Sequence, residues 1–200
     1  MLKLPTGSVV HPRWLRVTHW LNVVAVLIML CSGWRIYNAS PLFAFSFPSQ
    51  MTLGGWLGGA LQWHFAGMWL LGFNGLAYLL INICSGRLRS RFFPLSPVGV
   101  MRDAWAALKG RLAHADLTHY NQVQRAAYLL AMLDIILLVL SGLVLWKSVQ
   151  FGLLRELLGG YEAARFIHFF AMALLITFLA VHLVMVALVP RTLRAMITGR

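Results

Sequence analysis

Acidic side chains are nearly missing from this chain: five Asp and Glu stand among 200 residues, and charged residues of either sign make up only 11%. Against 60% apolar residues and a mean hydropathy of +0.76, so little charge cannot cover a water-soluble domain, and that class is excluded. Strict apolar–polar alternation is also missing from the long apolar runs, which argues against membrane β-barrel strands. Cys31 and Cys84 are too few for a disulfide framework and, lying in or beside apolar runs, read as small apolar packing residues. No internal repeat or low-complexity tract is visible.

Four apolar stretches are long enough to cross a bilayer, at about 15–36, 61–84, 122–146 and 162–189, given that roughly 20 helical residues span the hydrocarbon. The expected fold is all-α: an integral membrane four-helix bundle forming a single domain over residues 1–200. Lys3, Arg13 and Arg16 precede the first stretch as in a signal peptide. The run from Val17 to Gly33 is long for a signal core, however, and no small-x-small cleavage site follows it closely, so it reads as a retained helix.

A net charge of +12 has the size expected of a nucleic-acid binder, but its distribution does not fit one. Thirteen of the seventeen Lys and Arg fall before Arg16 inclusive, between Arg87 and Arg125, or in the tail at Arg191, Arg194 and Arg200. Arg35, Lys147, Arg155 and Arg165 fall on the other side of the proposed spans. This is the positive-inside pattern for four helices with both termini in the cytoplasm. In the long connection, Ser96-Pro97 reads as an N-cap and first helical residue. Val98, Met101, Trp105, Leu108 and Leu112 then recur at helical spacing, which predicts an amphipathic cytoplasmic surface helix. The uncharged loop with Phe43, Phe45, Phe47 and Trp56 suits the outer interface, as an anchor, a docking surface for a partner, or both.

Four histidines, His19, His64, His168 and His182, lie inside the spans. His168 and His182 are fourteen residues apart, about 21 Å along a helix and nearly on one face. With the N-terminus inside, His64 and His168 share the outer depth and His19 and His182 the inner one. Ionisable groups in hydrocarbon are costly and normally face a partner in the bundle. Zinc wants four close ligands of Cys, His or carboxylate type, and each layer offers two imidazoles. Two trans imidazoles suit an iron porphyrin, and without a C-x-x-C-H sequence the haem would be b-type. Two haems b are expected, with glycines such as Gly33, Gly67 and Gly142 making room. Arg13 and Arg16 inside, and Arg35, Lys147 and Arg165 outside, are candidate propionate contacts. His114 and His119 read as solvated loop residues. Asp134, near the middle of the third span, is either part of a proton path to quinone or a neutral acid hydrogen-bonded to Asn74 or a hydroxyl.

The residues Arg16–Trp20 (R-V-T-H-W), Trp63–Gly67 (W-H-F-A-G), the His168–His182 spacing, Tyr120–Arg125 and the tail R-T-L-R-A-M-I-T-G carry a family likeness. The chain resembles, over nearly its whole length, the bacterial membrane cytochromes that include cytochrome b561 and the b subunits of Ni/Fe-hydrogenase and thiosulfate reductase. Within that group it looks most like the cytochrome b partners of sulfite-oxidase-like molybdopterin oxidoreductases. The resemblance implies that the four histidines ligate two haems, and that electrons pass between a periplasmic oxidoreductase and the quinone pool. It also implies an alternative, a stand-alone superoxide:quinone oxidoreductase. That reading needs a cationic funnel from Arg35, Lys147, Arg155 and Arg165. A cofactor-free transporter or receptor would need polar or broken helices at mid-depth, where this chain has little besides Asn74 and Asp134.

Overall fold

A computed structural model describes residues 10–109 and 120–199. Lys3, Arg111, Leu112, His114 and His119 lie outside the described residues. The elements are α1 (Arg13–Ala39), a 3-10 turn (Ser49–Met51), α2 (Leu57–Cys84), α3 (Arg87–Phe92), α4 (Pro97–Leu108), α5 (Gln122–Trp146), α6 (Gly152–Leu157), α7 (Tyr161–Leu188) and α8 (Pro190–Thr198). No strand occurs among the described residues. Helices α1, α2, α5 and α7, of 27, 28, 25 and 28 residues, are each long and apolar enough to cross a membrane. α1 extends its sequence-based span by a few residues at both ends and α2 at its start, where interfacial turns continue the helix beyond its hydrocarbon part, whereas α5 coincides with its span and α7 is shifted by one residue.

Large apolar side chains point outward, as a lipid solvent requires: Phe73 is 67% exposed, Leu133 63% and Leu183 64%. The fully buried positions are small, among them Ala25, Ala60, Ser32, Ser141, Val144 and Ala164. Small residues let helix backbones approach closely when no hydrophobic effect drives them together.

The structure divides into two compact units, His11–Ile81 and the chain from Asn82 onward with Val10. In the first, α1 and α2 form an antiparallel hairpin. Near the start of α1, the Asn74 side-chain amide of α2 donates to the Thr18 carbonyl at 2.8 Å and to Asn22 Oδ1 at 2.6 Å. At the other end, the aromatic loop folds back on α1. Phe47 stacks on Trp34 at 5.0 Å, and Asn38 clamps the Phe47 backbone in both directions at 2.8 Å. Cys31 is partly buried as expected, whereas Cys84, ending α2, is exposed, so its apolar packing role is not realised within the chain.

In the second unit, α5 and α7 form the corresponding hairpin. α4 begins as read, with Ser96 Oγ accepting from Gly99 N at 3.1 Å ahead of Pro97. It exposes Val98, Met101 and Trp105, an apolar edge suited to a leaflet surface. The Tyr120–Arg125 motif is a helix start. Asn121 Oδ1 accepts from Gln124 N, Gln124 Oε1 accepts from Asn121 N, and together they form a capping box. Asp103 of α4 accepts from Gln122 N at 2.9 Å, and Arg125 donates to the carbonyls of Tyr120 and Pro94 at 3.1 Å each. Burial raises the Tyr120 phenol above its ordinary pKa while Arg91 and Arg87 pull it the other way.

The sequence shows no repeat, yet the two long hairpins correspond in register. Ser32-Gly33 and Ser141-Gly142 are residues twenty and twenty-one of α1 and α5, and His64 and His168 are each the eighth residue of α2 and α7. Divergence of the lipid-facing residues hides this from sequence periodicity, since any large apolar side chain serves there.

Removing the cap gives a direct check: Asn121→Ala should lower stability by about 1 kcal/mol, read as an earlier unfolding midpoint in detergent, with Asn121→Ser retaining most of it.

Candidate functional site

The Ser-Gly pairs face the histidines within each hairpin. Ser32 Oγ lies 3.0 Å from His64 Nδ1, and Ser141 Oγ lies 2.9 Å from His168 Nδ1. A serine hydroxyl has one proton to give. Ser32 is 2.6 Å from the Ile28 carbonyl and Ser141 2.7 Å from that of Leu137, one helical turn back in each case. The hydroxyl proton goes to that carbonyl, so the oxygen turns a lone pair toward the ring and Nδ1 must carry hydrogen. Each imidazole is thereby held in the tautomer whose Nε2 bears the lone pair, the form a metal ligand needs. The following glycines keep the rings in place. A Cβ on Gly33 would sit 3.4 Å from His64 Cε1, and one on Gly142 would sit 3.3 Å from His168 Cε1. Both imidazoles are half-buried.

The other two histidines occupy the opposite ends of their helices. His19 is the seventh residue of α1, half-buried, edge-on to Trp20 at 5.5 Å and next to Thr18 in the polar group around Asn74. His182, the twenty-second residue of α7, stacks on Phe178 at 5.9 Å, and Phe178 meets Tyr128 edge-on at 6.5 Å. The register shows an exchange here. Position seven is His19 in α1 and Tyr128 in α5, while position twenty-two is Tyr78 in α2 and His182 in α7. Each hairpin thus carries one histidine at either depth, on opposite strands of the hairpin at the His19–His182 level.

The candidate cations fare unevenly. Arg13 is exposed at the start of α1, with Arg16 half-buried one turn on, and Arg35 is half-buried in the last turns of the same helix. Lys147 follows α5 with its ammonium 5.3 Å from the Trp146 ring centroid, and Arg165 is engaged by Glu162 at 2.9 Å. Asp134 departs from the expectation of a hydrogen-bonded acid. It is 4% exposed, and neither carboxyl oxygen has a hydrogen-bond partner among the described residues, while Asn74 is occupied by Thr18 and Asn22. Also among the described residues, no group of three or more His, Cys, Asp or Glu could hold a bare metal ion. Sequence reading missed Ser32 and Ser141. Their signal was a Ser-Gly dipeptide recurring in the first and third spans at the depth of a histidine.

Four apolar membrane helices, two of them presenting imidazoles held by serine hydroxyls, fit a membrane cytochrome of the haem b-binding type. The chain belongs to the prokaryotic cytochrome b561 family, which it matches over residues 10–199. It is accordingly a multi-pass electron-transfer protein of the bacterial inner membrane. A similar chain from Azospira oryzae is 68% identical over 190 residues, covering 95% of this chain and 96% of the relative, and bears the provisional name protein-methionine-sulfoxide reductase subunit YedZ1.

The serine contact has a measurable consequence. Ser141→Ala removes the hydroxyl acceptor 2.9 Å from His168 Nδ1 and leaves the ring only the Leu138 carbonyl, and should cost about 0.5–1.5 kcal/mol. Thr177→Ala, at an exposed hydroxyl that only bonds back to Ala173 O, should stay within about 0.5 kcal/mol. Denaturant unfolding of both variants in detergent compares them.

Proposed function

We propose that this protein holds two haems b in one four-helix bundle domain with both termini cytoplasmic, His64 and His168 serving the outer site and His19 and His182 the inner. The observation that carries this reading is the matched pair of serine-held imidazoles, which supports ligation at Nε2 from the same register of two hairpins. Bound haem supplies reversible one-electron transfer at its iron, at a potential set by axial ligands, hydrogen bonding and burial. The chain supplies the rest. Ser32 and Ser141 accept from Nδ1 and so raise the basicity of His64 and His168. Gly33 and Gly142 leave those rings their room, and the apolar helices exclude water. Arg13 and Arg16 on one side and Arg35 on the other are the cations best placed to meet carboxylates at the membrane edges. Arg165 and Lys147 are already engaged by Glu162 and Trp146.

The protein relays electrons between the membrane quinone pool and an extracytoplasmic, molybdopterin-dependent oxidoreductase. The name of the Azospira oryzae relative supports a partner that reduces oxidised methionine in proteins. A reductase consumes electrons, so in this reading they run outward from quinol. The uncharged aromatic loop before α2, with Phe43, Phe45 and Trp56 exposed, suits contact with that partner as well as the interface. The alternative superoxide:quinone activity draws on Arg35, Lys147, Arg155 and Arg165. It is less favoured, because Glu162 already offsets the charge of Arg165, one of those four.

Redox difference spectra of the purified protein test the reading. The expected result is b-type absorbance at two haems per chain, with His168→Leu losing the outer haem and His182→Leu the inner. Loss of the same haem from both variants overturns the pairing, and a colourless wild-type protein overturns the reading itself. Ser141→Ala should raise the midpoint potential of the outer haem alone, because a less basic imidazole stabilises the ferric state less.

A further inference from the structure

The hairpin of α5 and α7 contains a cavity of about 350 Å³ that the cofactor reading does not use. Asp134, Leu137, Phe166, Phe170, Ala171 and Leu174 line it. Phe166 and Phe170 each lie two residues from His168, which puts them about 160° around α7 from the imidazole. Ala171 is only about 60° from it, so the cavity runs along the flank of α7, from beside the imidazole round to the far side. Leu137, Phe166, Phe170 and Leu174 are all exposed, so the groove opens outward to what is hydrocarbon in the membrane. At its base lies the Asp134 carboxyl, 4% exposed, with neither oxygen partnered among the described residues.

The companion hairpin shows that packing does not demand this arrangement. Position thirteen of α1, in register with Asp134, is Ala25, fully buried. Position eleven of α2, in register with Ala171, is Gly67, where a Cβ would stand 3.0 Å from both Ile28 and Met29. One hairpin is filled at this level, and the other is open with an acid at the bottom. A buried polar group without a partner is expensive in an apolar medium, and its persistence at the foot of a cavity points to a ligand that completes it.

We infer that this groove binds the headgroup of a quinone or quinol entering sideways from the bilayer, with Asp134 as its hydrogen-bonding partner. The occupant must arrive through lipid, offer a flat apolar ring to Phe166 and Phe170, and carry an oxygen that reaches a carboxyl. A carboxyl group suits both redox forms: ionised, it accepts from a quinol hydroxyl, and protonated, it donates to a quinone carbonyl. The volume lies within the range of small-molecule sites, roughly 300–1,000 Å³. This inference rests on the quinone reading above and adds the site, on α5 and α7.

The test is equilibrium binding of decylubiquinone and decylubiquinol to the haem-loaded protein in lipid nanodiscs, comparing wild type with Asp134→Leu and with Ala171→Phe, which fills the groove. Both variants should keep the wild-type haem spectrum and bind at least about tenfold more weakly, the scale of one lost hydrogen bond. Asp134→Leu should also melt no lower than wild type, since it removes an unpartnered buried carboxyl. Unchanged affinity in both variants, with wild type binding, overturns this site and leaves the quinone reading standing. Absence of binding by wild type overturns both. If Asp134→Leu cannot be obtained folded, Ala171→Phe carries the same comparison.

Discussion

Everything in this structure depends on the requirement that polar groups inside a hydrocarbon slab find their partners within the protein. Helix backbones meet it for themselves. The few polar side chains meet it by turning back on a helix or across to a neighbour. Ser32 and Ser141 do both at once, giving their proton to a carbonyl of their own helix and their lone pair to an imidazole on the next. That double use makes the serines directional. In water the same hydroxyl could rotate and the ring could choose either tautomer; here the choice is made by the fold before any cofactor is considered.

The same requirement separates the two hairpins. Around Asn74 it is met in full, with two acceptors for one amide. At Asp134 it is not met among the described residues. Two hairpins built on one register have thus been tuned differently. One is sealed at mid-depth by Ile28 and Met29 against Gly67, and the other keeps a side opening. The exchange of His and Tyr between positions seven and twenty-two shows the same freedom at the far end. The helical scaffold sets where functional positions fall, and individual side chains decide which of them are used.

Much of this was legible from residue order. Helix length and type followed from the apolar runs, and Ser96-Pro97 marked a helix start in the place observed. The histidines stood out because an imidazole in an apolar run needs a reason. What stayed hidden were relations between helices. A serine in a membrane helix looks like any small packing residue until the ring opposite it is known, and the hairpin correspondence rests on too few shared side chains to register as a repeat. The lack of a hydrogen-bond partner for Asp134 was likewise unreadable, because sequence names the acid but not what surrounds it.

The capping box at the start of α5 works as a ruler. Asn121 fixes the first turn, Asp103 and Pro94 tie that turn to the preceding segment, and Ser141 sits twenty residues into a helix with no break between. Each residue turns the helix by about 100°, so one inserted or deleted residue between the cap and Ser141 would swing the hydroxyl away from His168, though every side chain kept its chemistry. Length variation in this family should therefore collect in connections and tails, while the distance from cap to serine stays constant to the residue.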